Sequence, residues 1–276
     1  MIIVKLSGGL GNQMFHYAFG KALGADAYDI SFYDNQSGPS DIRHYELDFF
    51  NVSPKIFNQK QTKKYRHNNP FLKLFGIKRK IPKIQEETLN YTPDLLNIKK
   101  GIVKGCFQCP KYFEHLREEL LKEFTPKNTI NSENAQILAD IQNSNSVAVH
   151  IRRSDYLKFT NKYHICDAEY YKKAISYIAK KIKNPKFFFF TQDMTWVKEN
   201  IDCPFEHTYV DINHGSDSPW DIWLMKNCKH NIIANSTFSW WGAWLNENPN
   251  KIVIAPKEWF SDGTTIDIIP PDWLKF

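Results

Sequence analysis

Two doubly wound α/β lobes with a cleft between them are what this sequence predicts, and three observations predict it. At 276 residues the chain is large for one compact core and suits two lobes of ordinary size. Short apolar runs alternate with stretches of helical spacing in both halves, the rhythm of repeated β, α, β units. The apolar run from Val147 ends in the adjacent Arg152 and Arg153, so it reads as a buried strand delivering charge to its carboxyl end. Parallel sheets bind their ligands there. The lobes are expected at 1–140 and 141–276.

The elements follow in order. Ile2 to Leu6 predicts a strand, 7–13 a glycine turn, and Met14 to Leu23 a helix with Phe15, Ala18, Phe19 and Ala22 on one face. Glycines in such a turn let backbone amides approach a phosphate or another segment closely. No Gly-Lys-Ser/Thr follows, so this is no P-loop, and Met14 stands where a Rossmann fingerprint needs its third glycine. Tyr28 to Tyr33 predicts a second strand, and the polar segment 35–85 reads as mostly irregular. Phe113, Leu116, Leu120 and Phe124 predict a helix over 111–124, and Ser132 is expected to cap another through Gln142.

In the second half, Asp167 is the expected cap of a helix striped by Tyr171, Ala174, Ile175, Ile178 and Ile182. Strands are expected at 186–191, 208–210, 231–234 and 251–255. Helices are expected after the Asp193 cap, over 220–228, and from Trp240.

Composition bounds the function classes. With 42% hydrophobic and 15% aromatic residues the chain is globular, and no run of about 18 apolar residues spans a bilayer. Lys5 interrupts the first apolar run and no basic segment precedes it, which argues against a secretory signal. Five cysteines, scattered apart from Cys106 and Cys109, suit reduced thiols in a cytoplasm. The Cys106 and Cys109 pair lacks the second pair that a zinc site needs.

The charge is concentrated. Residues 60–83 hold nine basic side chains and no acidic one, against a net charge of +6 for the whole chain. Interleaved with Phe71, Leu72, Leu74, Phe75 and Ile77, they suit an anionic membrane surface or a polyanion, a solvated loop being the plainer alternative. No nucleic acid is expected as a partner.

Two anchors carry the chemistry. His150, Arg152, Arg153 and Asp155 belong at the crevice, and the planar guanidinium fork meets two phosphate oxygens at once. Surface ion pairing is the plainer reading of an arginine pair. Asn235, Ser236, Thr237, Phe238 and Ser239 lie where a strand turns into a helix, a place where backbone amides cradle phosphate. Two such sites in one lobe suggest a diphosphate. Core packing is favoured for Trp240, Trp241 and Trp244 over a stacking platform. No two aspartates stand two apart, so an Asp-x-Asp metal pair is missing, no metal or cofactor is expected, and arginines must neutralise the leaving diphosphate.

Gly8-Gly-Leu-Gly-Asn-Gln-Met-Phe15, His150-Ile-Arg-Arg-Ser-Asp-Tyr156, Phe190-Thr-Gln-Asp193 and Ser236-Thr-Phe-Ser-Trp-Trp-Gly-Ala-Trp244 together resemble bacterial α-1,2-fucosyltransferases of glycosyltransferase family 11. The resemblance implies a GT-B fold and inverting, metal-independent transfer of L-fucose from GDP-β-L-fucose to O2 of a terminal galactose. It implies that His150 meets the guanine, Arg152 the β-phosphate, and that Asp155 holds the arginine or the acceptor. Gly11 and Asn12 lie in a motif that faces the donor across the cleft in such enzymes, and Asp221 resembles the acidic residue that reads guanine N1 and N2. Segment 60–83 has no counterpart among these motifs. A transferase for another GDP-sugar, or a non-catalytic sugar-nucleotide or glycan-binding protein, stays open. A lipid-linked glycan acceptor would place the enzyme on the inner leaflet of the cell membrane.

Overall fold

A computed structural model describes residues 1–35, 42–66, 81–153 and 156–276. The chain divides into two compact units, Met1–Thr125 and Pro126–Phe276. The division falls before the helix Ser132–Gln142 rather than near residue 140. That helix belongs with the second unit because its buried Asn134 exchanges two 2.8 Å hydrogen bonds with Asn213.

The first unit is a parallel sheet in the order β3-β2-β1-β5-β4, with β1 at Ile2–Lys5, β2 at Ala27–Asp29, β3 at Ile56–Phe57, β4 at Lys83–Gln85 and β5 at Gly101–Lys104. β1 is central because Ile3 and Val4 are wholly buried, as a β-branched run covered on both faces should be. From Gly8, which adopts φ 75, the chain enters the helix Leu10–Leu23 and leaves it through Gly24 at φ 69.

Several expectations are corrected here. The helix starts at Leu10, not Met14, because the Asn12 and Gln13 amides already bond the Gly9 carbonyl, which puts Gly11, Asn12 and Gln13 in its first turn. The second strand stops at Asp29, whose carboxylate takes the Ser31 amide and turns the chain. Among its described residues, the segment 35–85 holds the helix Gln59–Arg66 besides β3 and β4, regular elements that the irregular reading did not expect. Strands of two or three residues are too short to show a period. The basic segment lies outside the described residues over 67–80. The helix expected over 111–124 is broken into short 3-10 turns before Arg117–Glu123, since Phe113 takes φ −139 and inserts fully buried into the core.

The second unit is a six-stranded parallel sheet, β11-β10-β9-β6-β7-β8. Its strands are β6 Asn145–Ile151, β7 Pro185–Thr191, β8 His207–Val210, β9 His230–Ile232, β10 Val253–Ala255 and β11 Leu274–Lys275. From β6 the chain builds outward through β7 and β8, then crosses back to β9 and builds the other way, which is the doubly wound order. Val147, Val149 and Ile151 of β6 pack with Tyr171, Ile175 and Ile178 of the helix Ala168–Lys181. By strand alternation His150 points to the opposite face.

Asp167 and Asp193 cap their helices as expected, accepting from the amides of Tyr170 and Trp196. Asn131, not Ser132, caps the helix at 132, because its side chain reaches the Asn134 amide at 2.8 Å. Trp240 and Trp241 are wholly buried and Trp244 nearly so, and Trp240 donates to the Ile268 carbonyl at 2.7 Å: they are core. Among the described residues no helix is long and apolar enough to cross a membrane.

Candidate active site

The second sheet reverses its strand order between β6 and β9, which pair in register Val147 to His230 and Val149 to Ile232. Crossovers leave these two neighbours for opposite sides of the sheet, so a crevice opens beyond their carboxyl ends. The residues that follow β6 are Arg152 and Arg153; those that follow β9 run through Asn235 to the helix Thr237–Leu245. The two anchors separated by some eighty positions in sequence therefore meet at one strand end. Tyr156 joins them directly, its hydroxyl donating to the Asn235 carbonyl at 3.1 Å.

His150 is 5% exposed. Burial, reinforced by the charge of Arg152, pushes its pKa down to about 3, so the ring is neutral at any ordinary pH. Its Nδ1 is buried with no hydrogen-bond partner among the described residues, and the ring centroid lies 5.8 Å from that of Phe238. A buried ring nitrogen left unsatisfied is costly, and a ligand that supplies the partner recovers that cost.

The two arginines differ in employment. Arg153 lies with its guanidinium carbon 3.9 Å from the Trp196 ring centre and its Nε 3.8 Å from an Asp193 oxygen, both partners on the segment leaving β7. Arg153 is only 17% exposed and its buried Nε makes no hydrogen bond among the described residues, so this contact is not the solvated surface pair of the plainer reading. Arg152 instead sits over Tyr156 at 5.5 Å, on the side that leads to Asn235. Asp155 lies outside the described residues.

At the second anchor the helix starts at Thr237, three residues before the expected Trp240, because the Ser236 hydroxyl already accepts from the Phe238 amide at 3.4 Å. Thr237, Phe238 and Ser239 form its first turn, where amides and the helix dipole favour an anion. Not all the polar side chains point outward. Ser239 is wholly buried and bonds the Ser236 carbonyl at 3.4 Å. Asn235 is a buried clamp, its Nδ2 donating to His164 at 2.6 Å and to Trp259 at 2.9 Å. Ser236 is buried too, its hydroxyl on the Phe238 amide, which leaves Thr237 as the partly exposed polar side chain at the start of the helix.

Asp221 stands in the first turn of the helix Pro219–Asn227. Its side-chain partner is Asn213, whose Nδ2 donates to Oδ1 at 2.8 Å, and not the arginine strand. Burial pushes its pKa up to about 7, with the Asn213 bond pulling down and the Asp211 charge pushing up.

The first unit has its own strand-end cluster. Asn12 Oδ1 accepts from Gln108 Nε2 at 3.0 Å. Gln13 is a structural clamp, donating to the His44 carbonyl at 2.7 Å and accepting from the Glu46 amide at 2.9 Å. Gly11 is buried in the same helical turn.

Sequence reasoning passed over Tyr156, Trp196, Asn213 and Gln108. Tyr156 lay inside a motif already singled out, and Gln108 inside a segment read only for its cysteines, which are free thiols. Asn213 carried no local signal. Among the described residues no group of three His, Cys, Asp or Glu side chains is placed to hold a metal ion.

The family model of glycosyl transferase family 11 matches residues 1–275. An α-1,2-colitosyltransferase of Escherichia coli is 34% identical over 100% of this chain and 98% of its own length. The O-antigen biosynthesis glycosyltransferase WbnK of Escherichia coli is 31% identical over 98% of each. A mouse galactoside 2-α-L-fucosyltransferase, Sec1, is 27% identical over 89% of this chain and 64% of its own. Among solved structures, the fucosyltransferase NodZ from Bradyrhizobium overlaps 87% of this chain and 90% of that one, at 12% identity and a TM-score of 0.46. Two parallel doubly wound sheets, the four motifs and a family match from end to end agree: the chain is a glycosyltransferase and belongs to glycosyl transferase family 11.

Proposed function

We propose that this glycosyltransferase moves L-fucose from GDP-β-L-fucose to O2 of a terminal galactose, with inversion and without a metal ion. The observation that carries the reading is the meeting, at the β6 and β9 strand ends, of Arg152, the neutral His150 whose Nδ1 has no partner among the described residues, and the helix turn capped by Ser236. These groups suit a nucleoside diphosphate: an imidazole for the base or its sugar, and a guanidinium with helix amides for the phosphates.

In the proposed reaction the bond between fucose C1 and the β-phosphate oxygen breaks as the galactose O2 attacks the opposite face. Negative charge gathers on the β-phosphate, and Arg152 and the first-turn amides stabilise it more in the transition state than in the ground state. Asp155 takes the acceptor proton or orients an arginine, and Asn12 offers its carboxamide to the reacting sugars. Asp221 reads the guanine edge.

A second donor has a specific observation behind it, the 34% identity to an α-1,2-colitosyltransferase over the whole chain. Purified protein incubated with GDP-fucose or GDP-linked colitose, with and without β-galactosides and with EDTA throughout, decides the matter. Galactoside-dependent GDP release from GDP-fucose, with an α-1,2 linkage by NMR, is the expected result. Turnover confined to the colitosyl donor overturns the fucose assignment, and turnover restored only by magnesium or manganese overturns metal independence.

A further inference from the structure

Gln108 belongs to none of the motifs, yet it is 8% exposed and donates a 3.0 Å hydrogen bond to the Asn12 carboxamide. We propose that Gln108 is a positioning residue for glycosyl transfer, holding Asn12 with its oxygen toward Gln108 and its NH2 toward Gly8; this rests on the reading of Asn12 as a group that meets the reacting sugars.

A terminal amide turns about a broad, roughly two-fold torsion, so packing alone does not say which end is the donor. The 3.0 Å contact couples the two amides: with Gln108 Nε2 donating to the Asn12 oxygen, turning either amide alone would set two donors or two acceptors against each other. The Asn12 Nδ2 then lies beside Gly8, where an added Cβ would come within 2.5 Å of it. Gly8 is required twice over, for this approach and for its φ of 75.

The turn that carries Gln108 is held from beneath. His16 accepts the Ser7 amide at Nδ1 (3.4 Å), so its Nε2 carries the proton and donates to the Gly105 carbonyl at 2.8 Å, tying the ends of β1 and β5 together. Burial pushes the His16 pKa down to about 4, so this arrangement persists at neutral pH. The Glu86 carboxylate accepts from the amides of Cys106 (2.6 Å) and Phe107 (3.2 Å), while Phe107 takes φ 51 and stacks on Phe19 at 3.9 Å. Gln108 therefore leaves a rigid turn whose buried polar groups have other work, and its side chain reaches Asn12.

The test compares Gln108→Met and Gln108→Glu with Asn12→Ala and with the double variant Asn12→Ala/Gln108→Met. The readouts are kcat, KM for donor and galactoside, and thermal unfolding. Met keeps the volume and removes the donor; Glu is isosteric and places a second acceptor against the Asn12 oxygen. Both single variants are expected to unfold near the wild-type temperature and to lose about 10- to 100-fold in kcat with little change in donor KM, the scale of a misaligned reacting group. In the Asn12→Ala background Gln108→Met should cost nothing more. Wild-type kcat in either folded Gln108 variant, beside an Asn12→Ala that is crippled, overturns the proposal while the reading of Asn12 stands. Losses that multiply in the double variant overturn it as well. An Asn12→Ala enzyme with wild-type turnover overturns both.

Discussion

Tyr156 and Asn235 are joined by a 3.1 Å hydrogen bond from phenol to main-chain carbonyl, and the same phenol ring lies 5.5 Å from the Arg152 guanidinium. One side chain thus sets the distance between the segment leaving β6 and the turn into the helix at Thr237. The ring is itself held by stacking on Tyr163 at 4.5 Å. Tyr156→Phe keeps the ring and removes the bond, so stability should fall by about 0.5 to 1.5 kcal/mol and kcat several-fold. Denaturant unfolding and GDP release on one preparation check this, and a variant unchanged in both shows that the bond positions nothing.

Arg152→Lys retains the charge and loses the planar fork. Removing one preorganised donor to a developing charge costs about 100- to 1000-fold in turnover, or roughly 3 to 4 kcal/mol. Arg153→Lys should cost less in turnover, because Arg153 is engaged with Trp196 and Asp193. Steady-state kinetics on folded, GDP-binding variants separate the two. Near wild-type turnover in Arg152→Lys assigns the leaving-group charge to Arg153 or to the Ser236 to Ser239 turn.

Asp221, as the proposed reader of guanine, should make GDP binding depend on pH. Its pKa is raised from the ordinary 3.8 to about 7, so between those values the folded chain holds a proton that the unfolded chain has released. Stability of the ligand-free protein from this group therefore falls as pH rises through that window. GDP affinity should do the reverse, rising as pH passes about 7, because a carboxylate accepting from guanine must be ionised. The groups around it are few: Asp211 raises the pKa and Asn213 lowers it. The helix Thr237–Leu245 has no titratable side chain, and on Ser132–Gln142 Asp140 is paired with Lys186, leaving Glu133 exposed. Asn213→Leu should move the midpoint of GDP affinity upward. Calorimetric titrations from pH 6 to 8.5 that show no pH dependence in the wild type remove Asp221 from base recognition.

Residues 60–83 are expected to dock the enzyme on anionic lipid, where a lipid-linked acceptor would be presented. Each Lys or Arg near such a surface contributes about 1 kcal/mol, and salt should weaken the binding. Lys60, Lys63 and Lys64 share the helix Gln59–Arg66, and their joint replacement by Gln should reduce cosedimentation with phosphatidylserine vesicles. Equal binding to neutral and anionic vesicles shows that the tract is a solvated loop.

The amino-acid sequence alone settled whatever depends on neighbours along the chain. The β-branched run of β1, the apolar run of β6, the Asp167 and Asp193 caps and the stripe on Ala168–Lys181 were legible because side-chain periodicity and capping act within a few residues. The four motifs, and with them the family, were legible for the same reason. Helix starts at Leu10 and Thr237 were placed three or four residues late, since glycine, serine and threonine read as turn residues until tertiary packing buries them in a first turn. Strands of two or three residues at β3 and β4 carry no period of their own and exist because a neighbouring strand pairs with them. Only the tertiary structure decided which residues share a strand end: Tyr156 with Asn235, Arg153 with Trp196, Asn213 with Asp221, Gln108 with Asn12. The nearest of these pairs, Asn213 with Asp221, is eight residues apart and joins a loop to a helix, and the others are more than forty apart. Their approach is set by the order in which strands enter a sheet, which no local pattern of side chains encodes.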